Sequence, residues 1–226
     1  MQADSATFLF ADIAGFTALT EAHGDEQALE LVEEFASAVR AELPRIDGEH
    51  VKTVGDALML RVPDPGEAIR LGLWITRNAM SGHEAPAIRV GGNHGSAVER
   101  GGDYFGATIN VAARVSALAG GGELLLTGHT AALVPDLEGV VYQSRGRQVL
   151  RNVAEPVEIF AVVPVDESVD QLAIDPVCQM AVDPDRAVGR LMLETKAYYF
   201  CSLTCAAAFA QQPERYADSV SRPAAT

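Results

Sequence analysis

Cysteine is absent from the first 170 residues of this 226-residue chain, and only three occur beyond that point. Three thiols cannot all pair within one chain, so a disulfide scaffold is excluded and a reducing compartment is expected. Histidine is scarce too: there are five, and none lies beyond His129. No apolar run approaches the ~20 residues that a bilayer span needs, so no membrane partner is expected. Met1 to Asp4 shows neither a basic n-region nor an apolar h-region, so no signal peptide is expected and the cytoplasm is the expected location. Basic residues are also few, 17 against 31 acidic ones, for a net charge of −14. Such a surface repels a phosphate backbone and excludes a nucleic-acid partner, because nucleic-acid binders neutralise phosphates with Lys and Arg. A mononucleotide is not excluded, since it needs only a few local cations and a metal.

The length suits one full domain and a small extra unit. Thr7 to Asp12 reads TFLFAD, a short strand-forming run. From Glu26 to Leu43 the apolar residues recur at three and four, which predicts an amphipathic helix stopped by Pro44. Two short strands, His50 to Val54 and Ala57 to Val62, flank a Gly55-Asp56 turn. A helix is expected from Pro65 to Met80, a strand from Ala87 to Val98, and a helix from Ala107 to Ala119 closed by Gly120 to Gly122. Glu123 to Thr127, Val140 to Arg147 and Val157 to Val163 read as closing strands. Several neighbouring strands are joined by short turns, which gives an α+β class with a mixed or antiparallel sheet and helices on one face. The division expected is 1–164 for the main domain, 165–174 for a polar, acidic linker, 175–217 for a second unit and 218–226 for a disordered tail.

Four features carry candidate chemistry. Asp12 ends the first strand, where it would serve either as a helix N-cap or as a metal ligand. Asp56 lies in the Gly-Asp turn, as a turn residue or as a second carboxylate on the same cleft. Asn110 and Arg114 are four apart on an otherwise small, apolar helix and share a face. Lys52 and Asp103 are single charges, one before the Gly-Asp turn and one before the helix of Asn110.

Together these residues resemble a known family. Residues 7–20, with FLFADIAGFTALT at their core, are similar to the metal-binding first strand of class III adenylyl and guanylyl cyclases. HVKTVGDALM and IRVGGNHGSAVERGGDYFGATINVAARVSALA resemble their second and third signatures, in the family's order. The resemblance covers residues 5–163. It implies a ferredoxin-like βαββαβ core. It also implies an adenylate cyclase, a phosphorus–oxygen lyase that turns ATP into 3′,5′-cyclic AMP and pyrophosphate. Asp12, the Ile13 backbone and Asp56 would hold two Mg²⁺ or Mn²⁺ ions. The backbone of Ile13, Ala14, Gly15 and Phe16 would lie near the phosphates. Lys52 would donate to adenine N1 and Asp103 would accept from its N6 amino group; guanine has the opposite pattern there, so ATP is favoured. Asn110 would orient the ribose, and Arg114 would stabilise the transition state. The family often carries a lysine in an LKG-like segment. Here the segment reads LRNV, and Arg151 keeps the charge for the phosphates. The family further implies a homodimer whose two sites each take residues from both subunits. The competing readings are a guanylyl cyclase, a vestigial cyclase on a metal-handling protein, and a non-catalytic nucleotide-binding domain coupled to a metal- or redox-sensing module. Degenerate members lose one of the metal aspartates or the Asn–Arg pair, and here all six positions are filled.

DPVCQMAVDPDRAVGRLMLETKAYYFCSLTCAAAFAQQPERY, residues 175–216, resembles the YHS domain, a small α+β module related to metal-binding units. Gln179 stands where that family usually has Gly. Cys201 and Cys205 share a helix face, and Cys178 precedes them. They read either as buried small apolar residues or as a thiolate metal site. A closed Zn²⁺ site needs a fourth ligand from elsewhere in the chain or from a partner, whereas three thiolates alone would suit Cu⁺.

Overall fold

The computed structural model describes residues 5–80, 86–165, 173–182, 184 and 187–217. The chain begins with β1 (Ser5–Ile13), α1 (Phe16–His23) and α2 (Asp25–Glu42). The strands β2 (Glu49–Val54) and β3 (Ala57–Val62) follow, then α3 (Pro65–Asn78). Next come β4 (Ile88–Ser96), the short hairpin β5 (Val98–Arg100) and β6 (Asp103–Phe105), and α4 (Ala107–Leu118). β7 (Leu124–Thr127), α5 (Gly128–Leu133), β8 (Val140–Gln148) and β9 (Val157–Pro164) complete the first unit. The second unit holds β10 (Ala173–Ile174), β11 (Ala181–Val182), β12 (Gly189–Leu193), β13 (Lys196–Phe200), α6 (Leu203–Gln211) and α7 (Pro213–Tyr216). Its first strand begins inside the stretch expected to be linker. Most of that linker, and the C-terminal tail, lie outside the described residues.

The fold is α+β, with a ferredoxin-like core built on a mixed seven-stranded sheet in the order β2-β3-β1-β4-β7-β9-β8. Only β4 and β7 pair in parallel; every other neighbour is antiparallel. Helices lie on both faces of this sheet, not on one as expected. β1 explains why. Its apolar residues run without a break, the pattern of a strand buried on both sides. Phe8 packs with Ile109 and Ala112 of α4. The next residues of the opposite parity, Leu9 and Ala11, pack with Phe35 of α2 and Ile69 of α3. α4 sits so close to β4 that a Cβ on Gly91 would lie 1.9 Å from the Ser116 backbone nitrogen. Only glycine permits that approach.

Local chemistry sets the element ends. Asp64 caps α3, its carboxylate accepting from the Glu67 N–H at 2.8 Å, with Pro65 in the first turn. The predicted helix over Glu26 to Leu43 forms, and Pro44 then sits in a 3-10 turn. The apolar core is shared between the units. Leu19 of α1 belongs to one continuous cluster with Val177, Cys178, Met180, Phe200, Cys205 and Phe209. A bridge between Pro86 and Met180 and a hydrogen bond from the Ala87 N–H to the Gln179 carbonyl at 3.0 Å tie the second unit to the edge of the first.

Candidate functional site

Asp12 and Asp56 meet because of strand register. β1 and β3 pair Ala11 with Leu58, and Asp56 is the turn residue just before β3. The two carboxyl groups hydrogen-bond to each other. Asp56 keeps its proton up to about 7, first because it is partly buried, then because of the bond to Asp12 and the repulsion from that charge. Asp12 does not cap a helix; Gly15, in the left-handed region at φ 68°, occupies that position. Asp12 is instead held by Arg89, which lies directly opposite it across the β1–β4 ladder. Arg89 Nε donates to Asp12 Oδ2 at 2.8 Å, and Nη2 donates to the same oxygen. Two adjoining carboxyls that share a proton suit a hard divalent cation, which would replace the proton and relieve the repulsion. Asp12 and Asp56 would be its ligands.

The loop between them and α1 is closed in. Ile13 is fully buried and pairs with Ile88. The Ala14 N–H donates to the Ala87 carbonyl at 2.9 Å. No side chain caps α1. Gly15 faces Gln179 of the second unit so closely that a Cβ on it would lie 2.4 Å from Gln179 Cγ. Phe16 starts α1, and its carbonyl accepts from Thr20 Oγ1 at 2.9 Å.

Lys52 and Asp103 are brought together across 51 positions. Lys52 Nζ donates to Asp103 Oδ2 at 2.6 Å and lies 5.8 Å from the centre of the Phe105 ring. The bond from Lys52 holds the Asp103 carboxyl below the ordinary range. The second oxygen of Asp103 accepts from the Tyr104 N–H at 2.8 Å. Lys52 uses one of three donors here, and Asp103 has lone pairs left over. The pair can therefore still read a base edge.

Asn110, Arg114 and Arg151 line one cavity of about 280 Å³, beside Leu118, Val149 and Leu150. The loop after β8 thus brings Arg151 to the polar face of α4. Neither Asp12 nor Asp56 lines that cavity.

The three cysteines form a fourth group. All are free and buried. Cys178 Sγ lies 3.4 Å from Cys201 Sγ, which lies 3.8 Å from Cys205 Sγ. His23, at the end of α1, brings Nε2 to 3.7 Å from Cys201 Sγ. Asp175 fixes the scaffold: its carboxylate accepts from the Val177 N–H at 2.9 Å, the Cys178 N–H at 3.4 Å and the Cys201 N–H at 2.9 Å. Ser202 caps α6, accepting from the Cys205 N–H at 3.1 Å. Hydrogen bonds with Cys178 and then Cys201 hold the Cys205 thiol well below the usual range, whereas those with Cys201 and then Cys205, followed by burial, push the Cys178 thiol up.

Two of these residues had no sequence signal. Arg89 is visible only through the β1–β4 register, and His23 is 178 positions from Cys201. The composition had offered no histidine near the cysteines, and the fold supplies one.

A mixed sheet with Asp12 near the end of β1 and Asp56 in the adjoining β2–β3 turn, an Asn–Arg helix packed on one face and a Lys–Asp pair beside the β2 edge fits the nucleotide cyclase class of fold. The chain belongs to the adenylate and guanylate cyclase catalytic domain family, which residues 1–163 match. Residues 173–220 match the YHS domain. The chain is 33% identical over 159 residues to a pH-sensitive adenylate cyclase of Mycobacterium tuberculosis, covering 69% of this chain and 40% of that protein. It is 36% identical over 110 residues to an adenylate cyclase of Streptomyces coelicolor, covering 49% of this chain and 29% of that protein. It thus spans less than half the length of these curated relatives. The crystal structure of an adenylate/guanylate cyclase/hydrolase from Silicibacter pomeroyi superposes with a TM-score of 0.64 at 26% identity, covering 71% of this chain and 96% of that one. Among the described residues no helix is long and apolar enough to cross a membrane.

Proposed function

We propose that this chain is an adenylate cyclase that converts ATP into 3′,5′-cyclic AMP and pyrophosphate at the interface of a homodimer. The observation that carries the reading is how the site residues divide on one chain. Asp12 and Asp56 adjoin, Lys52 and Asp103 adjoin, and Asn110, Arg114 and Arg151 share a cavity that excludes the acidic pair. A site completed by a second copy needs this division. The exposed apolar residues Val54 and Phe105 beside the Lys–Asp pair, and Leu118 and Val149 beside Arg114, give that copy something to cover.

Each group then has a role. Mg²⁺ or Mn²⁺ held by Asp12 and Asp56 would activate the ribose 3′-oxygen and neutralise the leaving phosphates. The first amides of α1, which no side chain caps, face the triphosphate. Lys52 donates to adenine N1 and Asp103 accepts from the N6 amino group. Asn110 holds the ribose in line with the α-phosphorus. Arg114 neutralises the charge that grows on the α-phosphoryl oxygens, and Arg151 holds the outer phosphates. Losing a transition-state donor such as Arg114 costs on the order of hundredfold or more in rate.

The test is product formation from ATP or GTP with Mg²⁺ or Mn²⁺. Cyclic AMP should form, and Asp56→Ala should abolish it. Mixing Asp56→Ala with Arg114→Ala chains should restore part of the activity, because one composite site in the mixed dimer is whole. Cyclic GMP as the main product would overturn the base assignment, and no recovery in the mixture would overturn the shared site.

A further inference from the structure

The second unit contributes three thiols, one donor short of a closed tetrahedron. The first unit supplies that donor. We infer that Cys178, Cys201, Cys205 and His23 hold one Zn²⁺ ion between the two units. The site does not depend on which nucleotide the cyclase unit takes.

Geometry is the first support. A tetrahedron with Zn–S bonds of about 2.3 Å and a Zn–N bond of about 2.0 Å has S···S edges of about 3.8 Å and S···N edges of about 3.5 Å. The sulfur separations are 3.4 and 3.8 Å, and the sulfur–nitrogen separation is 3.7 Å. All four donor atoms lie within 4.8 Å of one another. Small adjustments bring them onto one ion.

Burial is the second. Cys178 and Cys205 are fully buried and Cys201 is 8% exposed, so the sulfur side of the site is shielded and the half-buried His23 fills the remaining position. Structural zinc sites are closed in this way, whereas catalytic ones keep one position open. Coordination would release the thiol protons to solvent and leave thiolates, and buried thiolates need a compensating cation.

The supporting hydrogen bonds are the third. Asp175 ties together the backbone that carries Cys178 and the backbone that carries Cys201, and Ser202 orients the first turn of α6 that carries Cys205. The ligands are therefore held on a built scaffold rather than gathered at random. A pairwise disulfide would use two sulfurs and strand the third beside His23. Imidazole added to three thiolates favours Zn²⁺ over the lower coordination that suits Cu⁺.

The consequence is a clamp. His23 ends the helix whose N-cap is Gly15, and Gln179 next to Cys178 rests on Gly15 itself. An ion bridging His23 and Cys178 fixes the second unit over the loop that follows Asp12.

The test uses the full chain, reduced and stripped of metal, with Zn²⁺, Co²⁺ and Cu⁺ as probes. One Zn²⁺ should bind per chain, and Co²⁺ should give the visible spectrum of a tetrahedral sulfur–nitrogen site. His23 is half-buried, so His23→Gln should keep the wild-type circular dichroism. It should weaken Zn²⁺ binding by more than the 10–100-fold, roughly, that removal of an outer-shell partner costs, and it should alter the Co²⁺ spectrum. Zn²⁺ should slow amide exchange in α1 as well as around Cys178 and Cys201, in the wild type alone. Unchanged affinity and spectrum in His23→Gln would overturn the site, as would protection confined to the second unit, or uptake of Cu⁺ without Zn²⁺.

Discussion

If Gln179 rests on Gly15 in solution, substitutions at the two positions must be coupled. Gly15 has φ 68°, so Gly15→Ala carries about 1 kcal/mol of left-handed backbone strain whatever surrounds it. Its new methyl would also lie 2.4 Å from Gln179 Cγ and 3.0 Å from Gln179 Cβ, well inside contact distance. Gln179 must then swing away and give up the bond from its Nε2 to the Pro176 carbonyl at 3.2 Å, worth about 1 kcal/mol. The single variant should therefore lose about 2 kcal/mol. Gln179→Gly loses the same bond but relieves strain at φ 63°, about 1 kcal/mol each way, so its stability should barely change. In the double variant the Gly15→Ala methyl meets only the Cys178 carbonyl oxygen at an ordinary 3.6 Å, and only the strain remains. Urea unfolding of the four proteins should give a coupling energy near 1 kcal/mol, within the range for residues in contact. Additivity within about 0.3 kcal/mol would mean that the second unit does not sit on this loop.

Two further outcomes follow from the same geometry. In the metal-free protein Asp56 keeps its proton up to about 7 while the unfolded chain loses it near 3.8, so the native state binds more protons between those values and its stability falls as pH rises through that window. A divalent cation must displace that proton, so Mn²⁺ should raise the melting temperature at about pH 8 and do so far less at about pH 5.5; an equal rise at both would remove the protonated pair. Gly91→Ala would drive a methyl to 1.9 Å from the Ser116 backbone nitrogen and push α4 off the sheet, a loss of about 3 kcal/mol or more by unfolding, and wild-type stability would refute the close packing.

The fold was legible where local chemistry and tertiary packing agree. The predicted strands around Gly55-Asp56 form with their boundaries nearly intact, because a two-residue turn between apolar runs has few alternatives. The helix over Ala107–Leu118 ends where the glycines begin. The placement of helices was not legible by class alone, although TFLFAD carried the clue: consecutive rather than alternating apolar residues mean burial on both faces. Gly101-Gly102 forms the turn of a hairpin too short to show a period in the sequence. Within the site, Asp12 and Asp56 were recognisable by their neighbours in the chain. Arg89 and His23 were not, because nothing near either residue marks its partner. Arg89 depends on strand register, and His23 depends on how the second unit docks.

That docking gives α1 its significance. The helix is only eight residues, about 12 Å long, and short rigid elements move as units. Its N-cap, Gly15, follows Asp12 by three positions and lies under Gln179. Its last end presents His23 to the cysteines, at the helix terminus where backbone carbonyls favour a nearby cation. The second unit therefore holds both ends of the element that follows Asp12, through a packed side chain at one end and the His23–cysteine cluster at the other. Releasing one contact leaves the other as a tether, so the unit can leave the loop only when both give way. A Zn²⁺ ion bound by His23 and the three cysteines would in this way govern access to the acidic pair through bonds and contacts.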